Sequence, residues 1–314
     1  MQNIKNWEKN YPDIEEITEN SLDENSSLKK ILDFVGEGKE VADFGCATGY
    51  LAHLLQKKGC TVTGVEINAD AAKVAANYCQ QVIVADLDFV SVKDILPSQK
   101  FDVAVFGDIL EHLRNPWKVL KETQQILKKD GYVIASIPNI AHAAIRLSLL
   151  QGKFEYMEFG ILDNTHLRFF TKKTLEDMFD SSGYWINSIE RTKMAIFSDS
   201  MLLPKLNKQE FSSDIIKQME SDEDADTLQF IIRADPQPIE EKYAFLKEEY
   251  SQLVNKSKRL QSQLESTQAA LELAQSQLIQ TQSTISGMES SKFWKLRKAW
   301  FTLKKVFGWN KENS

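Results

Sequence analysis

The sequence is poor in several things, and each scarcity excludes something. It has 3 cysteines in 314 residues, namely Cys46, Cys60 and Cys79, with no Cys-x-x-Cys spacing among them. A disulfide framework and a zinc knuckle are both excluded, and the usage fits a reducing, cytoplasmic compartment. No run of about 18 apolar residues is present, so no transmembrane helix is expected. The opening MQNIKNWEKNYPDIEE lacks the apolar segment of a secretory signal. Positive charge is scarce as well, the net charge being −7. It is also unevenly placed: residues 290–314 carry seven Lys or Arg and one acid, Glu312, a net of +6, which leaves −13 on residues 1–289. A body so acidic repels a phosphate backbone, which argues against a nucleic-acid partner.

What is present suggests about two units by length. After a helical lead-in over 1–28, short apolar runs alternate with helical patterns, as in a parallel sheet covered by helices on both faces. The expected strands are Glu40 to Phe44, Thr61 to Glu66, Gln81 to Ala85, Phe101 to Phe106 and Tyr132 to Ile137, with two later ones, Trp185 to Ser188 and Leu228 to Ile232. One helix is well marked: Asn115 caps it, Pro116 opens it, Val119, Leu120, Thr123, Ile126 and Leu127 face inward, and Lys128, Lys129 and Gly131 end it. The stretch 197–226 reads as an irregular acidic insertion whose run from Glu220 to Asp226 is a solvated loop.

Beyond Asp235-Pro-Gln-Pro238 the pattern changes. No Gly or Pro occurs from Ile239 until Gly287, and a heptad runs over 239–289 with Tyr243, Tyr250, Leu264, Leu271, Leu278 and Ile285 on one seam row and Leu246, Leu253, Leu260, Ala274 and Met288 on the other. That predicts a coiled coil, made by self-association or with a partner helix, weakened at Ser257, Thr267 and Thr281. The tail 290–314 spaces Phe293, Leu296, Trp300, Leu303 and Phe307 on one helical face among lysines and Arg297. Such a basic aromatic helix suits a peripheral contact with the inner face of a membrane, or docking on protein.

The glycine turn Val41 to Tyr50 closes the first strand and opens a helix. Gly45 and Gly49 permit a sharp turn and close approach of a ligand. Asp43 precedes them and would repel a pyrophosphate, so a dinucleotide is disfavoured and a ligand with a cationic end is favoured. Glu66 ends the second strand, placed to accept hydrogen bonds from ribose hydroxyls. Asp86 and Asp108 follow the third and fourth strands. Four acids therefore line the carboxyl edge of the sheet, where such folds bind ligands.

Together DFGCATG, GVEIN, VADLDF, FDVAVFGDILEHL and LKKDGYVIASIPN resemble the motif series of class I S-adenosylmethionine-dependent methyltransferases, over roughly residues 29–235. The resemblance implies a Rossmann-like seven-stranded sheet whose last strand runs antiparallel. It assigns Asp43, Gly45 and Gly49 to the methionine end of S-adenosyl-L-methionine, Glu66 to the ribose, and Asp86 with Leu87 to the adenine, with Cys46, Ile67 and Asp108 completing the cofactor-binding set. Ala47 stands where many members have a third glycine, with little damage to binding expected.

The acceptor is expected beyond strands four and five. His53 reads as a surface residue, whereas His112, His142 and His166 lie on that side. His112 is the preferred general base, its ordinary pKa being near neutrality. Glu111, with His166 in GILDNTHLRFFT, completes the acceptor-side set, and the segment 138–171 reads as a lid. Asp108, Glu111, His112 and His166 are also similar to the metal-holding set of small-RNA 2′-O-methyltransferases, and the Glu-His pair is shared by UbiG-like quinone O-methyltransferases. A divalent metal is the less favoured alternative to a histidine base. GILDNTHLRFFT and the tail MESSKFWKLRKAWFTLKKVFG resemble methyltransferases that accompany glycosyltransferases, which implies O-methylation of a sugar hydroxyl in a glycan precursor. The other readings are a quinone or other small-molecule acceptor, and a non-catalytic scaffold built on the coiled coil.

Overall fold

The computed structural model describes residue 14, residues 17–97 and residues 100–307, without the side chains of 239–246 and 249. Most of the predicted lead-in over 1–28 lies outside the described residues; residues 17–26 form one short turn, Glu19–Ser21. The chain divides into two compact units, Met1–Gln237 and Pro238–Ser314.

In the first unit the strands are β1 (Glu40–Phe44), β2 (Thr61–Glu66), β3 (Gln81–Val84), β4 (Phe101–Gly107), β5 (Leu127–Pro138), β6 (Tyr184–Lys193) and β7 (Thr227–Pro236). Its helices are α1 (Ser27–Val35), α2 (Tyr50–Lys57), α3 (Ala69–Ala75), α4 (Val92–Ile95), α5 (Pro116–Thr123), α6 (Ala143–Leu150), α7 (Lys172–Ser181) and α8 (Ser213–Glu220). The seven strands form one sheet in the order β3-β2-β1-β4-β5-β7-β6. β1 to β5 pair in parallel, and β7 is antiparallel to both β5 and β6. The parallel strands are apolar almost throughout because both faces are covered. One face buries Phe44 and Phe106, stacked with ring centroids 4.6 Å apart, together with Leu120 of α5 and Met178 and Phe179 of α7. The other buries Leu32 of α1, Leu54 and Leu55 of α2 and the three cysteines. From β1 the chain passes outward to β2, then returns to β4 on the other side of β1. Their carboxyl ends therefore part into a crevice, which is where a ligand can enter such a sheet.

Three expectations need correction. α5 is capped by Asn115, whose Oδ1 accepts the Lys118 amide at 3.1 Å, but it ends at Thr123. Leu127 already pairs with Phe101, and Lys128 lies 3.0 Å from both Glu40 and Asp102, so Lys128 and Lys129 belong to β5 rather than to a helix end. Gly131 is needed for another reason: a Cβ there would lie 2.8 Å from the Phe101 carbonyl oxygen. The stretch 197–226 is not simply irregular. It contains α8, and its acidic run is tied down through Asp222 to Arg146 and Asp224 to Arg191, both at 2.6 Å, and Asp226 to Lys193 at 3.0 Å. These three pairs explain why Ala225, inside a run of acids, is buried.

The second unit consists of α9 (Ile239–Ser290) and α10 (Lys292–Val306). Ser291 separates them and caps α10, its Oγ accepting the Trp294 amide at 3.3 Å. Along α9 the seam residues Leu253, Leu260, Leu264, Leu271 and Leu278 are 56–60% exposed. A helix of 52 residues with an open leucine seam has the form of one strand of a coiled coil.

Candidate functional site

The loop from β1 to α2 makes the first wall. Gly45 and Gly49 have φ of 75° and 88°, and an added Cβ would collide with Ile109 at Gly45 and come within 2.9 Å of the Ala75 backbone at Gly49. Both positions therefore demand glycine on two grounds, backbone conformation and space. Ala47 shares the left-handed region at φ 48°, a conformation that costs a residue with a Cβ about 1–2 kcal/mol.

Glu66, at the end of β2, spans this loop and the next. Its Oε2 accepts the Ala47 amide at 2.9 Å and its Oε1 the Asn68 amide at 2.8 Å, which fixes the carboxylate at the cavity wall. Asn68 in turn caps α3. Asp43 is wholly buried behind the loop, and its Oδ2 has no hydrogen-bond partner among the described residues. Burial, and secondarily the charge of Glu66, pushes the Asp43 carboxyl up to about 7. Asp108 follows β4 directly, in the left-handed region at φ 54°. It is held by Ser136 Oγ at 2.8 Å and Gln229 Nε2 at 2.7 Å, both donating to its Oδ1. Such strained backbone persists only where the surroundings hold it, and it clusters at functional sites.

These elements enclose a cavity of about 460 Å³, within the size range of cofactor sites. Of the expected residues, Gly45, Glu66, Ile67, Asp86, Leu87 and Asp108 line it. Asp43, Cys46 and Gly49 are not in that lining. The Cys46 thiol packs instead in the core beside Gly64 and Cys79, and the Cys79 contact, with burial second, raises its pKa. Tyr50 and Asn68, the last residues of the glycine turn and of GVEIN, line the cavity as well, although neither was among the expected site residues. Four carboxylates (Glu66, Asp86, Asp88 and Asp108) face it, and among the described lining residues none is Lys or Arg. Such a wall rejects a pyrophosphate and accepts hydroxyls, amines and cationic groups.

A second cavity of about 300 Å³ adjoins the first. Asp108 and His112 line both, and Glu111, Pro138, Phe159, Ile161, Asp163, His166, Leu228 and Gln229 help complete it. Glu111 and His112 sit in a short turn, Leu110–His112, that follows β4. The loop 163–168 docks on that turn through the Leu167 and Arg168 amides, which both donate to the Glu111 carbonyl at 2.9 Å. This brings the His112 and His166 rings to 4.8 Å, and ligand atoms of Glu111, His112 and His166 lie within 4.8 Å of one another. Asp108 is outside that close group but shares the cavity.

The other two histidines differ from expectation. His142 is fully buried and caps α6, its Nδ1 accepting the Ala144 amide at 3.1 Å, while Nε2 meets the Met194 carbonyl at 3.0 Å. Burial lowers its pKa, and it belongs to the scaffold rather than the acceptor side. His53 is half-buried, edge-on to Tyr78 at 5.1 Å, because α2 turns it inward against the segment after α3. Parts of the predicted lid, 138–171, do border the second cavity, but α6 within it is packed as core, with Ala143, Ala144, Ile145 and Leu147 buried.

The sequence profile of a family described as "Methyltransferase domain" matches residues 20–188. A protein named ubiquinone biosynthesis O-methyltransferase from Glaesserella parasuis serovar 5 (strain SH0165) is 32% identical over 125 residues, which are 37% of this chain and 52% of that protein. The protein of the same name from Actinobacillus pleuropneumoniae serotype 5b (strain L20) is 27% identical over 152 residues, 42% of this chain and 65% of that one. The chain thus spans about half to two thirds of the length of these curated relatives. Among solved structures, a SAM-dependent methyltransferase from Archaeoglobus fulgidus aligns with a TM-score of 0.47 and 20% identity, covering 67% of this chain and 91% of that one.

Proposed function

We propose a reaction from one premise: the chain belongs to the methyltransferase-domain family, the class I S-adenosylmethionine-dependent methyltransferases. The reaction is transfer of the cofactor's methyl group to a hydroxyl oxygen. The observation that carries it is the pair of adjoining cavities with Asp108 and His112 in the walls of both. A transfer between two ligands needs two sites that meet at one place, with a proton acceptor there.

The first cavity fits S-adenosylmethionine. Glu66, already steered by two amides, retains acceptor capacity for ribose hydroxyls. Asp86 and Leu87 would take the adenine, and the glycine turn, with Asp43 buried behind it, would take the amino-acid end. When bound, that cofactor supplies an activated methyl on a sulfonium. The chain's own residues align the acceptor against it and remove a proton. His112 takes the hydroxyl proton, Asp108 bounds the junction of the two cavities, and Glu111 and His166 orient the acceptor. Glu111, His112 and His166 also form a donor set suited to a divalent ion, which would lower the hydroxyl's pKa in place of a base.

For the acceptor we favour a sugar hydroxyl of a glycan precursor. The second cavity combines polar groups that pair with hydroxyls (Asp108, Asp163, His166, Gln229) with an aromatic wall at Phe159. The names of the relatives support a second reading, the hydroxyl of a quinol-like ring. Through α9 the protein would pair with a second copy or a partner helix, and through α10 it would rest on the inner face of an anionic membrane. Incubation with methyl-labelled cofactor and parallel panels of nucleotide sugars, lipid-linked glycans and quinols decides the acceptor. Label in the glycan fraction supports the favoured reading, and label confined to the quinols overturns it in favour of the second.

A further inference from the structure

Along α9 the two rows of the exposed seam differ in size. From Leu264 onward one row reads Leu264, Leu271, Leu278 and Ile285, all large, while the other reads Thr267, Ala274 and Thr281, all smaller, before Met288. In a parallel pair each row meets its own copy, so wide leucine layers alternate with thin threonine and alanine layers. In an antiparallel pair each row meets the other, so a large residue faces a small one and successive layers fill evenly. Reversal about the midpoint between Glu272 and Leu273 achieves this. It sets Leu271 against Ala274, Leu264 against Thr281, Leu278 against Thr267 and Met288 against Ser257, and leaves Leu260 with Ile285 as the layer of two large residues. The smaller positions tolerate burial. Thr267 Oγ1 donates to the Gln263 carbonyl and Thr281 Oγ1 to the Gln277 carbonyl, both at 2.8 Å, so a covering helix would orphan neither hydroxyl.

Charge points the same way independently of size. Lys256, Lys258 and Arg259 cluster near one end of this stretch and Glu289 stands at the other. A parallel pair would set the basic cluster against its own copy, whereas the antiparallel pair puts Glu289 of one copy level with Lys256 of the other. Beside the seam, Gln261, Gln268, Gln275 and Gln282 recur at every seventh residue. The flank that selects a charged foreign helix in many coiled coils is thus neutral here and matches itself. We propose that the seam of α9 is occupied by a second copy of this chain, running antiparallel and centred between Glu272 and Leu273. The inference rests on the reading of α9 as a coiled-coil strand and adds its partner, direction and register. At a rise of about 1.5 Å per residue, the two α10 helices then begin about 55 Å apart, at opposite ends of the paired seam. The two basic helices would therefore meet an anionic surface at separate points rather than as one patch.

The test is pulsed dipolar electron paramagnetic resonance on the full chain, spin-labelled at one added cysteine per sample. Asn255→Cys, Ala269→Cys, Ser276→Cys and Ser290→Cys recur at multiples of seven on the helix face away from the seam, so the label does not enter the pairing. Cys46, Cys60 and Cys79 are buried, and the unsubstituted chain serves as the labelling control. The proposed register gives axial separations between the two copies of about 10 Å at residues 269 and 276 and about 50 Å at residues 255 and 290. The measured distances should be equal within each of these two pairs and much longer in the second. Short distances alike at all four positions would mean a parallel pair. A difference of about 20 Å between residues 255 and 290 would mean pairing displaced by one heptad. Either result overturns the proposal while self-association stands. Absence of dipolar coupling at residues 269 and 276 would remove the second copy altogether and leave the seam to a foreign helix.

Discussion

At the scale of single residues, the loop between β1 and α2 concentrates the unfavourable terms. Asp43 is buried with its carboxyl raised to about 7, so the folded chain holds a proton there that the unfolded chain releases near its ordinary value. Between about pH 4 and 7 the folded state binds more protons, and stability contributed at this residue falls as pH rises. Asp43→Asn should therefore melt with the wild type at pH 4 and above it at pH 8, by a difference of order a few kcal/mol. Parallel melting curves across that range would contradict the burial argument. Above pH 7, where Asp43 is ionised, the variant should also bind S-adenosylhomocysteine more weakly, because the ligand's ammonium loses a charged partner. Ala47 gives a second handle. The sequence marks it as a harmless replacement for glycine, yet its positive φ is strained, so Ala47→Gly should raise stability by about 0.5–1 kcal/mol. Unfolding in urea measures this, and a loss of stability would show that the strain is relieved elsewhere.

At the scale of elements, β1, β2 and β4 are legible because each is a short, largely apolar run closed by an acid or a glycine, and β1 and β2 match their expected limits. Those limits place Glu66, Asp86 and Asp108 at the carboxyl edge of the sheet from the sequence alone, and all three line the first cavity. The failures have physical causes. Lys128, Lys129 and Gly131 look like a helix end by charge and flexibility, but pairing with β4 and two carboxylates draws them into β5. His142 resembles a functional histidine by position, and burial against Met194 makes it structural. Asp163 and Thr165 lie within GILDNTHLRFFT, but their contacts arise only once residues 163–168 dock against the turn after β4. In the second unit, two elements carry separate expectations. Leu264→Glu with Leu271→Glu places charge in the seam of α9, so light scattering should show a lower mass than the wild type at equal concentration; an unchanged mass would remove the coiled-coil assembly. Phe293 and Trp300 are 74% and 55% exposed on α10. Phe293→Glu with Trp300→Glu should abolish sedimentation with anionic liposomes, and undiminished sedimentation would rule out that helix as the membrane contact.

At the scale of the whole molecule, charge and function are divided along the chain. The unit that holds the cavities is acidic, and the positive charge is gathered at the far end. An acidic domain with a carboxylate-lined crevice discourages phosphate-rich ligands there, while the basic helix attracts anionic surfaces in a salt-dependent way. The central claim is that the crevice at the carboxyl ends of β1, β2 and β4 holds the nucleoside of S-adenosylmethionine, with Glu66 on the ribose. Calorimetric titration of S-adenosylhomocysteine into the full chain and into Glu66→Gln tests it most directly. The account predicts saturable one-site binding by the wild type, weakened about 10- to 100-fold in the variant, as loss of hydrogen bonds to a charged group implies. Absence of binding by the folded wild type, or equal affinity in Glu66→Gln, would contradict it.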